Sequence, residues 1–396
     1  MVAIQHDFAI GSVTENLGVQ VEAPRATTRI CFGCGQFHVF RCSNPRPLRS
    51  VPCGTCRERG LASATGRSEV VSGTVRTAGP GIGSSATPAK ARVIVGKKGE
   101  NSWITWIGSD AQPLLADAAP EYSDQEFQWH QGTLSEQQWE TRVAQAIAKI
   151  DKSEIDKVVL ARDLIATTDK AIDVRPVLNK LAANYPATWV FSVDGLIGAT
   201  PELLLRLSRG MVTSRVLAGT IPKTGDDARD LALSGSLARS SKDLEEHEYA
   251  VRSVAEALEP FSSSTNVPEA PFVLHLANVM HLATDVTGAL LESKHHVDAF
   301  ALLKSLHPSA AVCGTPRNIA FDVIDEIEGM NRGRYAGPVG WIDARGDGEL
   351  GIALRSGQVT GNEIRIFAGC GIVAGSDPVV ELAESNAKFS AMKSAL

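Results

Sequence analysis

Long hydrophobic runs are absent from this chain of 396 residues, in which no stretch approaches the roughly 18 apolar residues of a transmembrane helix. Residues 1–20 lack both the basic start and the continuous apolar run of a secretory signal peptide. The net charge of −6, from 39 basic and 45 acidic side chains, is too small to predict a polyanionic or polycationic partner. We therefore expect a cytoplasmic protein with no membrane partner.

Charged residues and cysteines are unevenly distributed along the chain. Residues 1–100 carry 13 basic and six acidic side chains, whereas the rest carries 26 basic and 39 acidic ones. Regular hydrophobic patterning begins only near residue 91. We therefore divide the chain into an atypical basic, cysteine-rich segment, residues 1–90, and a regularly patterned domain, residues 91–396.

Strand patterns occur in clusters and pairs between helical patterns instead of alternating strictly with them. This favours an α+β fold, with layered mixed or antiparallel sheets surrounded by helices, over a doubly wound parallel sheet. The predicted strands are 102–107, 157–164, 189–193, 196–207, 351–359 and 364–367. The predicted helices are 135–149, 174–184, 226–237, 242–258, 297–302, 316–327 and 378–392.

The last predicted helix carries a pair of carboxylates. Asp377 is a suitable N-cap and Pro378 a suitable first residue. Glu381, Glu384 and Lys388 then share one helix face. A Glu-x-x-Glu pair suits a hard divalent cation such as Mg²⁺, although a solvated charged face produces the same spacing.

A second helix offers another pair, because Asp243 and Glu246 are also three residues apart, while Glu245 and Glu248 fall on its exposed side. Two helices that each present two carboxylates can complete a Mg²⁺ site together with substrate oxygens and water. Acidic helices also show this spacing by chance, so both interpretations stay open.

Two residues are candidates for acid–base chemistry. Lys157 opens an apolar run, which would leave its ammonium poorly solvated and favour the neutral amine that a base requires. Glu202 precedes three leucines, and a carboxyl in such surroundings can stay protonated and act as an acid. A lysine at the start of a strand and a glutamate at the end of a turn are the structural alternatives.

A glycine-rich stretch near the C-terminus, from Gly369 to Gly371, resembles a dinucleotide-binding turn. The 25 residues that follow Gly371 leave no room for the second strand of such a domain. Bare glycine amides near a helix N-terminus also suit a carboxylate, and Arg355 on the preceding strand can add a bidentate contact to the same anion.

Ten motifs follow one another in the second part of the chain. They are KVVLAR (157–162), GATPELL (198–204), LAGTIP (217–222), KDLEEH (242–247), HLAT (281–284), HPSAAVCGTP (307–316), RYAGPVGW (334–341), ALR (353–355), FAGCGI (367–372) and ExxExxxK (381–388). Together they resemble the chorismate-utilising enzymes, which include isochorismate synthase, salicylate synthase and the large subunits of anthranilate and aminodeoxychorismate synthases. The resemblance extends over residues 91–396 and implies a single large chorismate-binding domain.

The resemblance implies a Mg²⁺ cofactor that neutralises the ring carboxylate of chorismate. Glu246 and Glu384 resemble its direct ligands, and Asp243 and Glu381 resemble residues that hold metal-bound water. The residues that resemble the family's substrate-binding groups are Thr220, His281 (under the ring), Ala311, Val312, Tyr335, Arg355, Gly369, Gly371 and Lys388.

Within the family, lysine at position 157 implies water as the nucleophile. Lys157 would be the base that delivers water to ring carbon C2, and Glu202 would protonate the departing C4 hydroxyl. Members that also eliminate pyruvate typically carry threonine where this chain has Ala311, and Ala311-Val312 resembles isochorismate synthases.

We therefore expect the hydroxymutase reaction of isochorismate synthase, an isomerase, with the isomerase and pyruvate lyase reaction of salicylate synthase as the alternative. The resemblance also implies a monomer. It leaves open whether the product serves menaquinone, siderophore or salicylate formation.

The cysteines of the N-terminal segment allow a different function. The spacing Cys31-x2-Cys34-x18-Cys53-x2-Cys56 fits a four-cysteine zinc site, and the surrounding basic residues would suit a zinc ribbon that binds nucleic acid. The family resemblance does not support such a module, and aromatic residues for base stacking are few. An aberrant or poorly ordered segment is the alternative, and we do not expect nucleic acid as a partner.

Overall fold

A computed structural model describes residues 125–291, 297–343 and 345–396 of the chain. It also describes the backbone of four short strands, which form one antiparallel sheet in the order β2-β1-β4-β3: β1 (Thr27–Ile30), β2 (Phe37–Phe40), β3 (Val93–Lys98) and β4 (Asn101–Trp106). The four cysteines of the predicted zinc site lie outside the described residues. Both the zinc site and the boundary near residue 90 therefore stay predictions.

Two seven-stranded sheets form the body of the fold. One has the order β11-β13-β10-β9-β16-β15, with β12 added beside β13, and the other has the order β14-β6-β18-β17-β8-β7, with β5 added beside β6. We call them the first and the second sheet. Their strands are β5 (Gln128–Gln131), β6 (Lys157–Thr167), β7 (Trp189–Val193), β8 (Leu196–Thr200), β9 (Leu203–Ser208), β10 (Met211–Pro222), β11 (Ser262–Asn266), β12 (Phe272–His275), β13 (Val279–Leu290), β14 (Gly314–Thr315), β15 (Pro338–Ile342), β16 (Gly348–Ile352), β17 (Ser356–Thr360) and β18 (Glu363–Ile372).

Helices surround these sheets, and the α+β prediction with antiparallel sheets is confirmed. The helices are α1 (Glu136–Asp151), α2 (Val174–Asn184), α3 (Asp227–Leu237), α4 (Ser241–Leu258), α5 (Ala299–Leu306), α6 (Arg317–Glu328) and α7 (Pro378–Lys393). None of the helices in the described ranges combines the length and the apolar character needed to cross a membrane.

The helix starts follow from side chains that accept hydrogen bonds from the first free amides. Ser240 accepts from the amide of Asp243 at the start of α4. Asp377 accepts from the amides of Val379 and Val380 at the start of α7, as the sequence predicted. Helix α5 begins at Ala299, two residues later than expected, because Asp298 is its N-cap.

Two predicted strands are each divided into two. The stretch 196–207 breaks at Pro201-Glu202, so that β8 joins the second sheet and β9 joins the first. The stretch 351–359 breaks between β16 in the first sheet and β17 in the second, where Arg355 has a φ of 47°. Proline has no amide for a strand ladder, and a positive φ is incompatible with a strand, so neither run continues in one sheet. The predictions of single strands were wrong at these points.

The hydrophobic core lies between the sheets and the helices that cover them. Helix α4 packs on β10 and β13, and α7 packs on β18. Helices α1 and α6 both contact β6, with Trp139, Val143 and Ile324 among the buried side chains. This packing fixes α4 and α7, which carry the predicted carboxylate pairs, against strands of different sheets.

Candidate active site

A cavity lies where the two sheets exchange strands. Eleven of the 15 predicted site residues line it: Glu202, Thr220, Glu246, His281, Ala311, Val312, Tyr335, Arg355, Gly369, Gly371 and Lys388. The other four, Lys157, Asp243, Glu381 and Glu384, lie in its wall behind these side chains, as the contacts below show. The motifs therefore meet in one place, although the roles assigned to their residues stay predictions.

Glu202 lies in the segment that carries the chain from β8 to β9. Its side chain is buried, with 3% of the residue exposed. Burial raises the pKa of this carboxyl to about 8, against the opposing charges of Lys157 and Arg355. At neutral pH the carboxyl is therefore mostly protonated and can donate a proton into the cavity.

Lys157 is the first residue of β6 and has no exposed surface. Its Nζ lies 3.3 Å from Oε1 of Glu246 and donates to the main-chain oxygen of the same residue at 3.3 Å. The expected burial of this lysine is confirmed. Lys157, a candidate for acid–base chemistry, is therefore in direct contact with a carboxylate of α4.

The carboxylate of Glu246 lies unusually close to β18. Its Oε2 accepts a hydrogen bond from the amide of Gly219 at 3.2 Å. A methyl group on Gly371 would lie 2.0 Å from its Oε1, so only glycine at this position leaves room for the carboxylate. Gly219 has a φ of 73°, and a Cβ there would lie 3.0 Å from Cβ of Asp243 in α4.

Three of the carboxylates predicted to bind the metal each lie beside a lysine. Glu381 binds Nζ of Lys242 through Oε1 at 2.5 Å, Glu384 binds Nζ of Lys388, and Glu246 contacts the lysine of β6. Burial, together with the neighbouring charge of Glu384, raises the pKa of Glu381 to about 7. Burial also raises the pKa of Asp243.

These residues fit a divalent cation. The second carboxylate oxygen of Glu381, Oε2, is buried and has no hydrogen-bond partner among the described residues. A cation would satisfy this oxygen and relieve the repulsion between Glu381 and Glu384. Cys370 Sγ lies in the same group, with ligand atoms of all three residues within 4.8 Å of one another. Burial raises the pKa of the Cys370 thiol well above its usual range, so the oxygen atoms, which Mg²⁺ prefers, are the better ligands.

The cavity also has basic side chains in its lining. Arg355, which lies in the connection between β16 and β17, lines the cavity. Its Nη2 lies 2.9 Å from Nε2 of His281. Lys388 donates to the main-chain oxygen of Gly369 at 2.9 Å. Tyr335 is buried and stacks on Phe367, with ring centroids 5.1 Å apart. Two cations and a phenol in the lining of one cavity can hold carboxylate groups of a ligand.

Gly369 and Gly371 lie inside β18, opposite Ala161 and Val159 of β6. Helix α7 begins only at Pro378. The strand, and not a helix N-terminus, therefore sets the direction of the glycine amides, and the expectation of a helix-terminus anion site was wrong. The glycines nevertheless line the cavity.

Ala311 and Val312 belong to a tight turn between α5 and β14. The amide of Val312 donates to the main-chain oxygen of Ser309 at 3.1 Å. Both residues present apolar groups to the cavity, so this part of the wall offers no hydroxyl for acid–base chemistry.

Sequence reasoning missed Arg332, which also lines the cavity. Its guanidinium binds Glu328 at 2.6 Å and donates to the main-chain oxygens of Val312 at 2.9 Å and Val159 at 2.7 Å. The carboxylate of Glu328 in turn accepts from the amide of Ala161 at 2.8 Å. The i,i+4 spacing of Glu328 and Arg332, just before the RYAGPVGW motif, was the available signal.

Comparison with known proteins identifies the family of this chain. The family model described as chorismate binding enzyme matches residues 91–396. The isochorismate synthase MenF of Bacillus subtilis is 36% identical over 310 residues, which are 75% of this chain and 65% of that protein. The salicylate biosynthesis isochorismate synthase of Pseudomonas aeruginosa is 38% identical over 275 residues, which are 67% of this chain and 56% of that protein.

A solved structure is similar over most of its length. The crystal structure described as putative 2,3-dihydroxybenzoate-specific isochorismate synthase, DhbC, from Bacillus anthracis has a TM-score of 0.67 and 31% identity, and the match covers 83% of each chain. This chain therefore matches less than two thirds of the length of the two relatives above. It matches 83% of the solved structure. The chain belongs to the chorismate-binding enzyme family.

Proposed function

We propose that the chain is a Mg²⁺-dependent isochorismate synthase, which adds water at C2 of chorismate and releases the hydroxyl group from C4. The observation that carries this proposal is that the buried carboxyl of Glu202 lines one cavity with Arg355 and Lys388. Lys157 lies behind Glu246 in the wall of the same cavity. The names of the two curated relatives and of the similar solved structure support the same activity.

The reaction needs one proton acceptor and one proton donor. Lys157 takes a proton from the attacking water while the water oxygen bonds to C2. The ring double bond shifts, the C4–oxygen bond breaks, and Glu202 gives its proton to the leaving hydroxyl, which departs as water. One water enters and one leaves, so substrate and product are isomers, and proton exchange with solvent restores both side chains.

The carboxylates of α4 and α7 would hold the metal. Glu246 and Glu384 would bind it directly, and Asp243 and Glu381 would hold its water molecules. When bound, Mg²⁺ supplies positive charge that neutralises the ring carboxylate of the substrate. A cation near Glu381 and Glu384 is supported by Oε2 of Glu381, which is buried and has no hydrogen-bond partner among the described residues.

The basic side chains of the cavity would orient the substrate. Arg355 and Lys388 are buried cations that can bind carboxylate oxygens, and the phenol of Tyr335 can donate to the same groups. Ala311 and Val312 border the cavity without a polar group, which suits an enzyme that stops at the isomer. All these residues belong to one chain, and the monomeric state stays a prediction.

The test is product analysis of purified protein supplied with chorismate and Mg²⁺. We expect isochorismate as the product, identified by chromatography and NMR spectroscopy, and no turnover after chelation until Mg²⁺ is restored. A coupled lactate dehydrogenase assay detects pyruvate, and pyruvate as the main product would assign the protein to salicylate synthases instead.

Two variants test the acid–base roles. Lys157→Ala and Glu202→Gln should each lower kcat by about 100-fold or more. Glu245→Gln is the matched control, because Glu245 is exposed on α4 next to the site. Near-wild-type kcat in either of the first two variants would refute the role proposed for that residue.

A further inference from the structure

The contact between His281 and Arg355 fixes where the imidazole carries its proton. Nη2 of Arg355 lies 2.9 Å from Nε2 of His281. A guanidinium can only donate hydrogen bonds, so Nε2 must be the acceptor and cannot carry a proton.

The other ring nitrogen supports the same tautomer. Nδ1 of His281 lies 3.3 Å from the main-chain oxygen of Gly219 and 3.1 Å from Oγ1 of Thr220. A carbonyl oxygen can only accept, so Nδ1 is the nitrogen that donates. Gly219, His281 and Arg355 therefore form a directed chain of hydrogen bonds, which runs from the guanidinium through the imidazole to the backbone of β10.

Burial makes the arrangement rigid and keeps the imidazole neutral. His281 is 3% exposed and Arg355 is 8% exposed. Burial lowers the pKa of His281 well below its usual range, and the charges of Arg355 and Lys388 lower it further. The one basic lone pair of this neutral ring already accepts from Arg355, so no nitrogen is left to take a proton from a substrate.

Arg355 depends on this support. Its backbone has a φ of 47° at the point where the chain crosses between the sheets. Among the described residues, His281 is the side chain within hydrogen-bond distance of its guanidinium. An arginine side chain has several rotatable bonds, and a fixed acceptor at one nitrogen restricts them before the ligand arrives.

We propose that His281 is a positioning residue, a neutral imidazole protonated at Nδ1 that directs the Arg355 guanidinium toward a carboxylate of the substrate. This inference rests on the proposed function, because it assigns Arg355 to the substrate. It gives His281 no part in proton transfer and no direct role under the ring, which differs from the expectation based on the family resemblance.

Two substitutions separate the two ring nitrogens. In His281→Gln, the amide oxygen falls near the position of Nε2 and can accept from Arg355. In His281→Asn, the amide nitrogen falls near Nδ1 and can donate to Gly219, but Arg355 loses its acceptor. We expect His281→Gln to keep KM for chorismate within about threefold of wild type, and His281→Asn to raise KM about tenfold or more with kcat changed less. Equal loss of kcat in both variants would refute positioning and indicate direct participation of His281.

A spectroscopic test does not require turnover. In protein labelled with ¹⁵N-histidine, the NMR signals of the His281 ring nitrogens are identified by their loss in His281→Gln. These signals should show a protonated Nδ1 and an unprotonated Nε2, and they should not change between pH 5.5 and 8.5. An Nε2-protonated or cationic ring in that range would overturn the inference. Because this result stands without activity, it distinguishes failure of the tautomer assignment from failure of the proposed function.

Discussion

The main-chain amide of Ala199 donates to the carbonyl oxygen of Arg355 at 3.1 Å. This bond joins the two segments that carry the chain from one sheet to the other. The amide of Ile352 donates likewise to the carbonyl oxygen of Glu202 at 3.1 Å. Glu202, the proposed proton donor, and Arg355, which is proposed to bind the substrate, are thus held by the same two connections between the sheets. Movement of one connection would therefore displace both groups.

Replacement of Glu202 by glutamine should change how stability depends on pH. Burial raises the pKa of Glu202 from 4.5 to about 8, so between these values the folded protein holds a proton that the unfolded chain has released. The free energy of unfolding of the wild type therefore falls as pH rises from about 4.5 to about 8, whereas glutamine cannot ionise. We expect the two proteins to have similar Tm near pH 4.5 and the variant to have the higher Tm at pH 8, as measured by differential scanning calorimetry.

Glu245→Gln is the control for this experiment, because it removes an exposed carboxyl from α4. Its Tm should follow that of the wild type across the same pH range. A Glu202→Gln variant whose Tm difference from the wild type is constant with pH would contradict the raised pKa.

Replacement of Gly371 by alanine should disturb the proposed metal site. The added methyl group would lie 2.0 Å from Oε1 of Glu246 and 2.9 Å from Cε of Lys157, so the carboxylate must move. We expect the Mg²⁺ concentration for half-maximal activity to rise about tenfold or more, as judged by typical costs of displacing a metal-binding group. Isothermal titration with Mg²⁺ measures the same loss without substrate.

Gly235→Ala is the matched control for that variant. Gly235 lies in helix α3, where the added methyl group meets only the flexible end of Arg239 at 3.4 Å. This variant should keep the wild-type Mg²⁺ dependence. An unchanged Mg²⁺ dependence in Gly371→Ala would show that Glu246 does not hold the metal.

Helix faces could be predicted from the sequence, because caps and a period of 3.6 residues are local properties. Asp377 begins α7 as expected, and Glu246 is buried while Glu245 and Glu248 are exposed, as the spacing indicated. The same holds for Lys157, whose burial follows from the apolar residues beside it.

The breaks in the long apolar runs could not be predicted in the same way. Residues 196–207 are apolar on both sides of Pro201, because each half is buried in a different sheet, and periodicity does not show where one sheet ends. The ion pair of Lys242 with Glu381 was equally invisible, since 139 residues separate the two side chains in sequence. Tertiary structure alone brings such groups together.

Replacement of Arg332 by methionine should destabilise the fold. The substitution would leave the Glu328 carboxylate, which is 2% exposed, without its cation, and would remove donors from the main-chain oxygens of Val312 and Val159. Loss of one partner of a buried ion pair costs about 3–5 kcal/mol of unfolding free energy. Denaturation with urea measures this change.

Arg252→Met provides the comparison, because Arg252 on α4 pairs with two exposed glutamates, Glu248 and Glu256. Its guanidinium also lies over the ring of Tyr249. We expect that variant to lose less than about 1 kcal/mol. Similar losses in the two variants would mean that the buried pair contributes no more than an exposed one.

Replacement of Lys242 by methionine should strengthen Mg²⁺ binding. Nζ of Lys242 lies 2.5 Å from Oε1 of Glu381, and its positive charge occupies the surroundings of the carboxylates proposed to bind the cation. Removal of this charge makes the electrostatic potential at Glu381 and Glu384 more negative and leaves Oε1 of Glu381 without its lysine. The Mg²⁺ concentration for half-maximal activity should therefore fall by roughly threefold to tenfold. Lys149→Met is the control, because Lys149 pairs with the exposed Glu326 at 3.0 Å. Weaker Mg²⁺ binding in Lys242→Met than in this control would show that the lysine supports the cation site instead of competing for it.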